Sequence, residues 1–193
     1  MTETQTKKIV VAGEGGQGVQ TIAKILLQAA HQKKMQVSYI PNFGVEQRGG
    51  VSVAFVKIDP DQPIVFPKFD KGDLVVILSD RSVKRTLRYV DKNTEVIINS
   101  TFITNTKKIK TKAKKVRKVD ATNLAKQELT PRVFNTIVLG TILALLPEIT
   151  LKQGQAAVKK VLGYKFKTKP KLEKLNLQAV ELGYDLVTNK SSK

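Results

Sequence analysis

KKIVVAGEGGQGVQTIAKILLQAAHQKK, residues 7–34, reads as a strand, a tight turn and a helix in immediate succession. Lys7 to Ala12 is a short β-branched run of strand length. A glycine cluster interrupts it, and from Thr21 to Lys33 the apolar residues Ile22, Ile25, Leu26 and Ala29 recur at the spacing of one helix face. Gly13-Glu14-Gly15-Gly16-Gln17-Gly18 satisfies G-x-G-x-x-G between that strand and that helix, the setting in which the pattern has mechanical meaning. Glycines permit positive φ and let a ligand's phosphates approach backbone N–H groups at the positive end of a helix. A phosphate cradle fits the pattern. So do glycines that only allow a tight turn and close helix packing, and so does a contact with another ligand or subunit. Nicotinamide dinucleotide binding fits poorly. It calls for an acidic residue about twenty positions on, Gln36 to Ile40 supplies none, and Glu14 would repel a diphosphate.

Outward from this unit the chain continues to alternate. Met35 to Ile40 reads as a second strand ended by Pro41, which cannot donate to a ladder. Val51 to Ile58 is a third strand, and Ile64 to Phe66 a short one beside it. Asp73 to Leu78 is a near-continuous apolar run of the kind covered on both faces of a sheet. Ser79 to Tyr89 reads as a helix capped by Ser79 or Asp80, Glu95 to Asn99 as another buried strand, and Val116 to Val119 as a further strand. Pro131, with Thr130 as its cap, opens an apolar helix that runs to about Leu146. Thr150 caps a helix to about Leu162, and Lys171 to Val187 is a last amphipathic one. This order predicts a three-layer α/β/α sandwich with a largely parallel, Rossmann-like sheet. Residues 1–193 read as a single domain and 188–193 as a flexible tail.

The 193 residues suit one core, and 41% apolar content with clear hydrophobic runs excludes wholesale disorder. Cysteine is absent, so this polypeptide offers no thiolate for an iron–sulfur cluster or zinc, no nucleophilic Cys and no disulfide. MTETQTKK at the start is polar, and the longest apolar stretch, Ile137 to Leu146, is about half what a bilayer requires. A cytoplasmic protein without a membrane partner is the expectation. The formal charge is +18, with eight basic residues and no acid between Lys107 and Lys118. That run would hold nucleic-acid phosphates at low salt, but Trp is absent and no helix-turn-helix, zinc or RNA-binding signature accompanies it, so no specific nucleic-acid partner is expected. Either a solvated lysine-rich surface or electrostatic docking on acidic partner chains accounts for it.

A second motif, Pro41-Asn42-Phe43-Gly44-Val45-Glu46-Gln47-Arg48-Gly49-Gly50, lies past the carboxyl end of the second strand, the edge at which open α/β sheets bind ligands. Arg48 offers a planar fork for a carboxylate or phosphate, Glu46 can orient it, and Gly49 and Gly50 leave room beside it. A surface turn with an ordinary ion pair accounts for the spacing equally well. His31, near a helix end, reads as a residue that meets carbonyls or solvent. Asn135 reads as a polar side chain satisfied inside its helix or turned toward the site. One histidine builds no Ser-His-Asp arrangement.

GEGGQGV followed by PNFGVEQRGG resembles the gamma subunit, or gamma-equivalent domain, of the 2-oxoacid:ferredoxin oxidoreductases. The resemblance extends through DLVVILSDRSV, VDATNLAKQ, PRVFNTIVLGTILAL and NLQAVELG and so covers most of the chain. Asn42-Phe43 and Val45 stand where the family commonly shows Ser-Tyr and Pro, while Glu46, Arg48, Gly49 and Gly50 keep its framework. The resemblance implies a complex that oxidatively decarboxylates a 2-oxoacid to acyl-CoA with ferredoxin reduction. Thiamine diphosphate, Mg and iron–sulfur clusters would lie on alpha and beta chains, with a delta chain where one exists, and no cofactor would be bound by this chain alone. Lys71-Gly72-Asp73-Leu74 is accordingly not the Gly-Asp-Gly of a thiamine-diphosphate motif. By matching position, Gly13, Gly15, Gly16, Gln17, Gly18, Glu46, Arg48, Gly49 and Gly50 are the expected cofactor-binding residues, facing the active site and coenzyme A. No catalytic or metal residue is expected here. Pyruvate, 2-oxoglutarate, branched-chain and aryl oxoacids would be chosen by other chains. A freestanding module binding an adenine nucleotide or coenzyme A is the other function open to such a glycine loop.

Overall fold

A computed structural model describes residues 6–42 and 50–189. Six strands form one sheet: β1 (Lys7–Glu14), β2 (Gln36–Asn42), β3 (Val51–Asp59), β4 (Leu74–Ile77), β5 (Glu95–Asn99) and β6 (Lys115–Val119), in the order β2-β3-β1-β4-β5-β6. β1, β4, β5 and β6 pair parallel. β3 is antiparallel to β1 and to β2, so it alone runs against the other five. The expected three-layer α/β fold with a largely parallel sheet is thus observed, with a β2–β3 hairpin folded back beside β1.

Ile9, Val10, Val11 and Ala12 are fully buried because both faces of β1 are covered. Ile9 and Val11 point into a core shared with α1 (Val19–Gln32), α4 (Ala121–Glu128), α5 (Phe134–Leu143), α6 (Leu151–Thr168) and α7 (Lys171–Thr188). Val10 and Ala12 point to a smaller core under α2 (Asp80–Thr86), the 3-10 turn Leu87–Tyr89 and α3 (Lys107–Lys110). Each such Val or Ile contributes about 1.5–3 kcal/mol on leaving water, which fixes the strand in the middle of the sheet rather than at an edge.

Several expected boundaries shift. The second strand passes through Pro41, which sits opposite Ala54, and ends at Asn42. β2 is an edge strand bonded on one side only, so a missing N–H is tolerated. Ile64 to Phe66 is not a strand. No strand of the sheet pairs with it, and Val65 and Phe66 stand about three-quarters exposed. The helix expected to end at Tyr89 changes to a 3-10 turn after Thr86. Neither Ser79 nor Thr130 caps with its side chain. The helix expected from Pro131 to Leu146 begins with a 3-10 turn and ends at Leu143. Thr150 does cap α6, in a capping box with Gln153, and the helix extends past Leu162 because Phe166 continues its buried stripe. α3 and α4 had no counterpart in the sequence reading. Of the expected tail, Thr188 is the last residue of α7, and residues 190–193 lie outside the described ones.

Thr136 to Leu143 of α5 are all buried, as expected of a helix that is apolar all round and enclosed by others. It meets α7 through two glycines. A Cβ on Gly140 would overlap the carbonyl oxygen of Val180, and one on Gly183 that of Ile137. Backbone cannot swing aside as a side chain can, so Gly183→Ala is expected to cost about 3 kcal/mol. Gly163→Ala, in α6 with nothing within 4 Å of its added methyl, should gain about 0.5–1 kcal/mol. Urea midpoints of the two variants check the opposite signs.

At the far end of β3, Asp59 is 4% exposed and accepts hydrogen bonds from the Thr6 hydroxyl and from the N–H groups of Asp61 and Gln62, at 3.0 and 2.7 Å. Burial disfavours its charge, but the donors outweigh that and hold the carboxyl below the usual aspartate range. A lowered folded-state pKa stabilises above the ordinary value and is lost as pH falls through the lowered one. Asp59→Asn should therefore cost about 1–2 kcal/mol at pH 7 and show less additional loss on acidification than the parent, measured as urea midpoints between pH 7 and pH 3.

Candidate functional site

The carboxyl end of β1 continues into the glycine loop, and parallel pairing brings the end of β4, with Ser79 and α2, to the same sheet edge. Antiparallel pairing adds the start of β3, since Glu14 sits opposite Val51. The Gly15 N–H donates to the Gly50 carbonyl at 3.1 Å. This bond joins the two glycine-rich motifs that the sequence holds apart. Phe43 to Gly49, and with them Glu46, Arg48 and Gly49, lie outside the described residues.

The loop is closed from within. Gln17 Oε1 accepts from the Glu14 N–H at 2.7 Å, and the Gln17 N–H donates to the Glu14 carbonyl at 3.1 Å. Gln17 therefore holds the turn with its carbonyl oxygen. A side chain on Gly13 would press on Gln17, Leu78 and Val19, so that glycine serves packing. Gly16 and Gly18 have φ of 89° and 79°, the left-handed region that costs other residues about 1–2 kcal/mol. Gly18 is also the N-cap of α1. It carries no side-chain cap, and the first turn holds no acid, so the N–H groups of that turn keep their capacity for an outside acceptor.

Glu14 is directed sideways. Its carboxylate lies 3.7 Å from Arg81 at the start of α2. The pair is exposed and contributes little to stability, yet it offsets the repulsion expected between Glu14 and an anion. Arg85 donates to the Val51 carbonyl at 3.3 Å. Gln20 donates to Ser52 Oγ at 2.7 Å and to the Val53 carbonyl at 3.3 Å, and accepts from the Tyr39 hydroxyl. Burial raises the Tyr39 phenol above its ordinary value. Gln20 thus ties α1 to both strands of the hairpin that carries the second motif.

Asn135 shows its position only in three dimensions. A Cβ on Gly18 would overlap its amide nitrogen, so the first turns of α1 and α5 meet over a glycine. Helical spacing placed Asn135 on an apolar helix, and no local pattern tied it to residue 18. Arg81, Arg85 and Gln20 carried no sequence signal either.

The sequence model of the family described as pyruvate ferredoxin/flavodoxin oxidoreductase matches residues 8–186. The chain belongs to this family. Among its relatives is the pyruvate/ketoisovalerate oxidoreductases common subunit gamma of Pyrococcus abyssi, 34% identical over 155 residues, which are 76% of this chain and 82% of that one. The 2-oxoglutarate synthase subunit KorC of Methanocaldococcus jannaschii is 29% identical over 93% of both chains. In fold, the chain is similar to the keto/oxoacid ferredoxin oxidoreductase gamma subunit of Geobacter sulfurreducens, with a TM-score of 0.77, 21% identity and coverage of 95% of this chain and 99% of that one. The resemblance read from GEGGQGV and PNFGVEQRGG is borne out. These relatives bear the names of subunits, which favours the subunit reading over a freestanding module.

Gly18→Ala should cost about 2–4 kcal/mol, part from positive φ and part from overlap with Asn135. Adding Asn135→Ala should recover about half of that loss, leaving the backbone part. A double-mutant cycle of urea midpoints reads the split.

Proposed function

We propose that this chain is the gamma-type subunit of a 2-oxoacid:ferredoxin oxidoreductase and that its glycine-lined edge forms the coenzyme A side of an active site completed by partner chains. Membership of the family supports the reaction class, the oxidative decarboxylation of a 2-oxoacid to acyl-CoA with ferredoxin as electron acceptor. The lack of cysteine supports placing the clusters elsewhere, since thiolates are their ordinary ligands. Thiamine diphosphate and its Mg are assigned to the alpha and beta chains as part of the same proposal. No helix among the described residues is long and apolar enough to cross a membrane. A cytoplasmic complex is part of this proposal.

The Gly15–Gly50 hydrogen bond carries the reading. It sets Gly13 to Val19 beside the entry to β3, so the helix start and the strand entry share one edge. The α1 N–H groups present partial positive charge there. Arg48 stands two residues before Gly50, and its guanidinium is assigned to an anionic group of coenzyme A. This chain's part is to bind and orient that substrate and to exclude water.

The isolated chain should oxidise no 2-oxoacid. In a complex reconstituted with alpha and beta chains, Arg48→Ala should raise KM for coenzyme A about tenfold, the worth of one charge-assisted hydrogen bond, with kcat for 2-oxoacid oxidation close to the parent. An unchanged KM removes Arg48 from the site.

A further inference from the structure

β6 is bonded on one side only, to β5. The Ser100 N–H donates to the Val119 carbonyl at 2.9 Å. Val119 therefore turns its backbone groups toward β5, and strand alternation makes Arg117 do the same while Val116 and Lys118 turn theirs away. Among the described residues no backbone partner meets these outward groups. Beside them runs a groove of about 610 Å3, with Leu124 of α4 and Leu186 and Val187 of α7 as its wall and Lys115 and Lys118 along the strand. Val119 belongs to the core on the α4 and α7 side, and Val116 packs on the opposite core, under which Ile109 of α3 also lies. A strand laid against β6 would thus set alternate side chains beside Leu124 and Leu186, and the rest on the face of Lys118 and α3.

Charge decides which strand fits. Lys107 to Lys118 holds eight basic residues and no acid. Arg117 is neutralised by Glu95 at 2.9 Å. Asp120, the one acid of the groove, is engaged by the Thr101 hydroxyl and, at 3.1 Å, by the Asn123 amide. The lysines of the run pair with no carboxylate among the described residues. One exposed lysine contributes little to binding, but several of one sign steer and select a partner of the other. A nucleic acid would meet these lysines and leave the leucines and the outward peptide groups unmatched. An extended acidic peptide meets all three.

We propose that β6 receives, as an added strand, an extended acidic segment of another subunit of the complex, its carboxylates on the face of Lys118 and α3 and its apolar residues on Leu124 and Leu186. The subunit source rests on the function proposed above. The recognition of an acidic strand does not.

NMR hydrogen exchange on the full chain with an end-blocked peptide of alternating Glu and Val tests the recognition. The amides of Val116 and Lys118 should slow at least about tenfold at saturation, and those of Arg117 and Val119, already turned to β5, should not change. A peptide of alternating Lys and Val should protect neither. Lys115→Glu with Lys118→Glu, at two exposed positions, should reverse the preference between the two peptides with the melting temperature held. The proposal is overturned if the Glu peptide gives no protection, if the variant keeps the parent's preference, or if a DNA duplex or self-association of the chain protects the same amides equally. In a complex reconstituted with alpha and beta chains, the Val116 and Lys118 amides should be protected without added peptide. Free exchange there overturns the subunit source. Coenzyme A kinetics enter neither arm, so a failure of Arg48→Ala to alter KM leaves this test intact, and a failure of the subunit reading shows in the complex arm alone.

Discussion

The absence of one side chain, at Gly18, sets the geometry of the site. β1 is locked centrally by burial on both faces, and the chain must leave its end and enter α1 within a few residues. It does so through two left-handed glycines, the second lying against Asn135. With that contact fixed, the start of α1, the start of α5 and the entry to β3 hold defined positions, and Gln20 ties the hairpin to the same helix. Any larger residue at 18 would part the layers that meet there.

Charge is distributed with equal definition. The Lys107–Lys118 run does not cluster at the glycine edge. It forms α3 and the edge strand β6, where Arg117 pairs with Glu95 at 2.9 Å. The cations at that edge come instead from α2, where Arg81 lies by Glu14 and Arg85 donates to the Val51 carbonyl, and from Arg132, Lys165 and Lys169 around a neighbouring pocket. A chain of net charge +18 therefore presents distinct basic regions, one belonging to the sheet margin and one to a cavity.

The sequence was most legible where local chemistry decides the outcome. β1 and α1 follow from a β-branched run, a glycine turn and helical spacing, and Thr150 with Gln153 forms the capping box that a helix start needs. It was least legible where tertiary contacts decide. Ile64 to Phe66 is apolar but gains no partner strand. Pro41 ends a strand only when both sides need donors, and β2 needs one. α3 has four residues and α4 eight, too short for a convincing period. Of the site, the two glycine motifs and their common edge could be anticipated from strand ends, whereas Asn135 over Gly18 and the gathering of Arg132, Lys165 and Lys169 join residues remote in sequence. No local period encodes such proximity.

The two margins of the sheet differ in a way that bears on the life of the subunit before it finds a complex. One margin is β2, which carries Pro41 and so lacks one backbone donor, and the other is β6, which carries Lys115, Arg117 and Lys118. Open strand margins invite copies of a protein to zip together, and imino acids and lysines are two of the ways proteins discourage it. An orphan copy is thereby discouraged from self-stacking at either margin, by a missing donor at one and by mutual repulsion at the other.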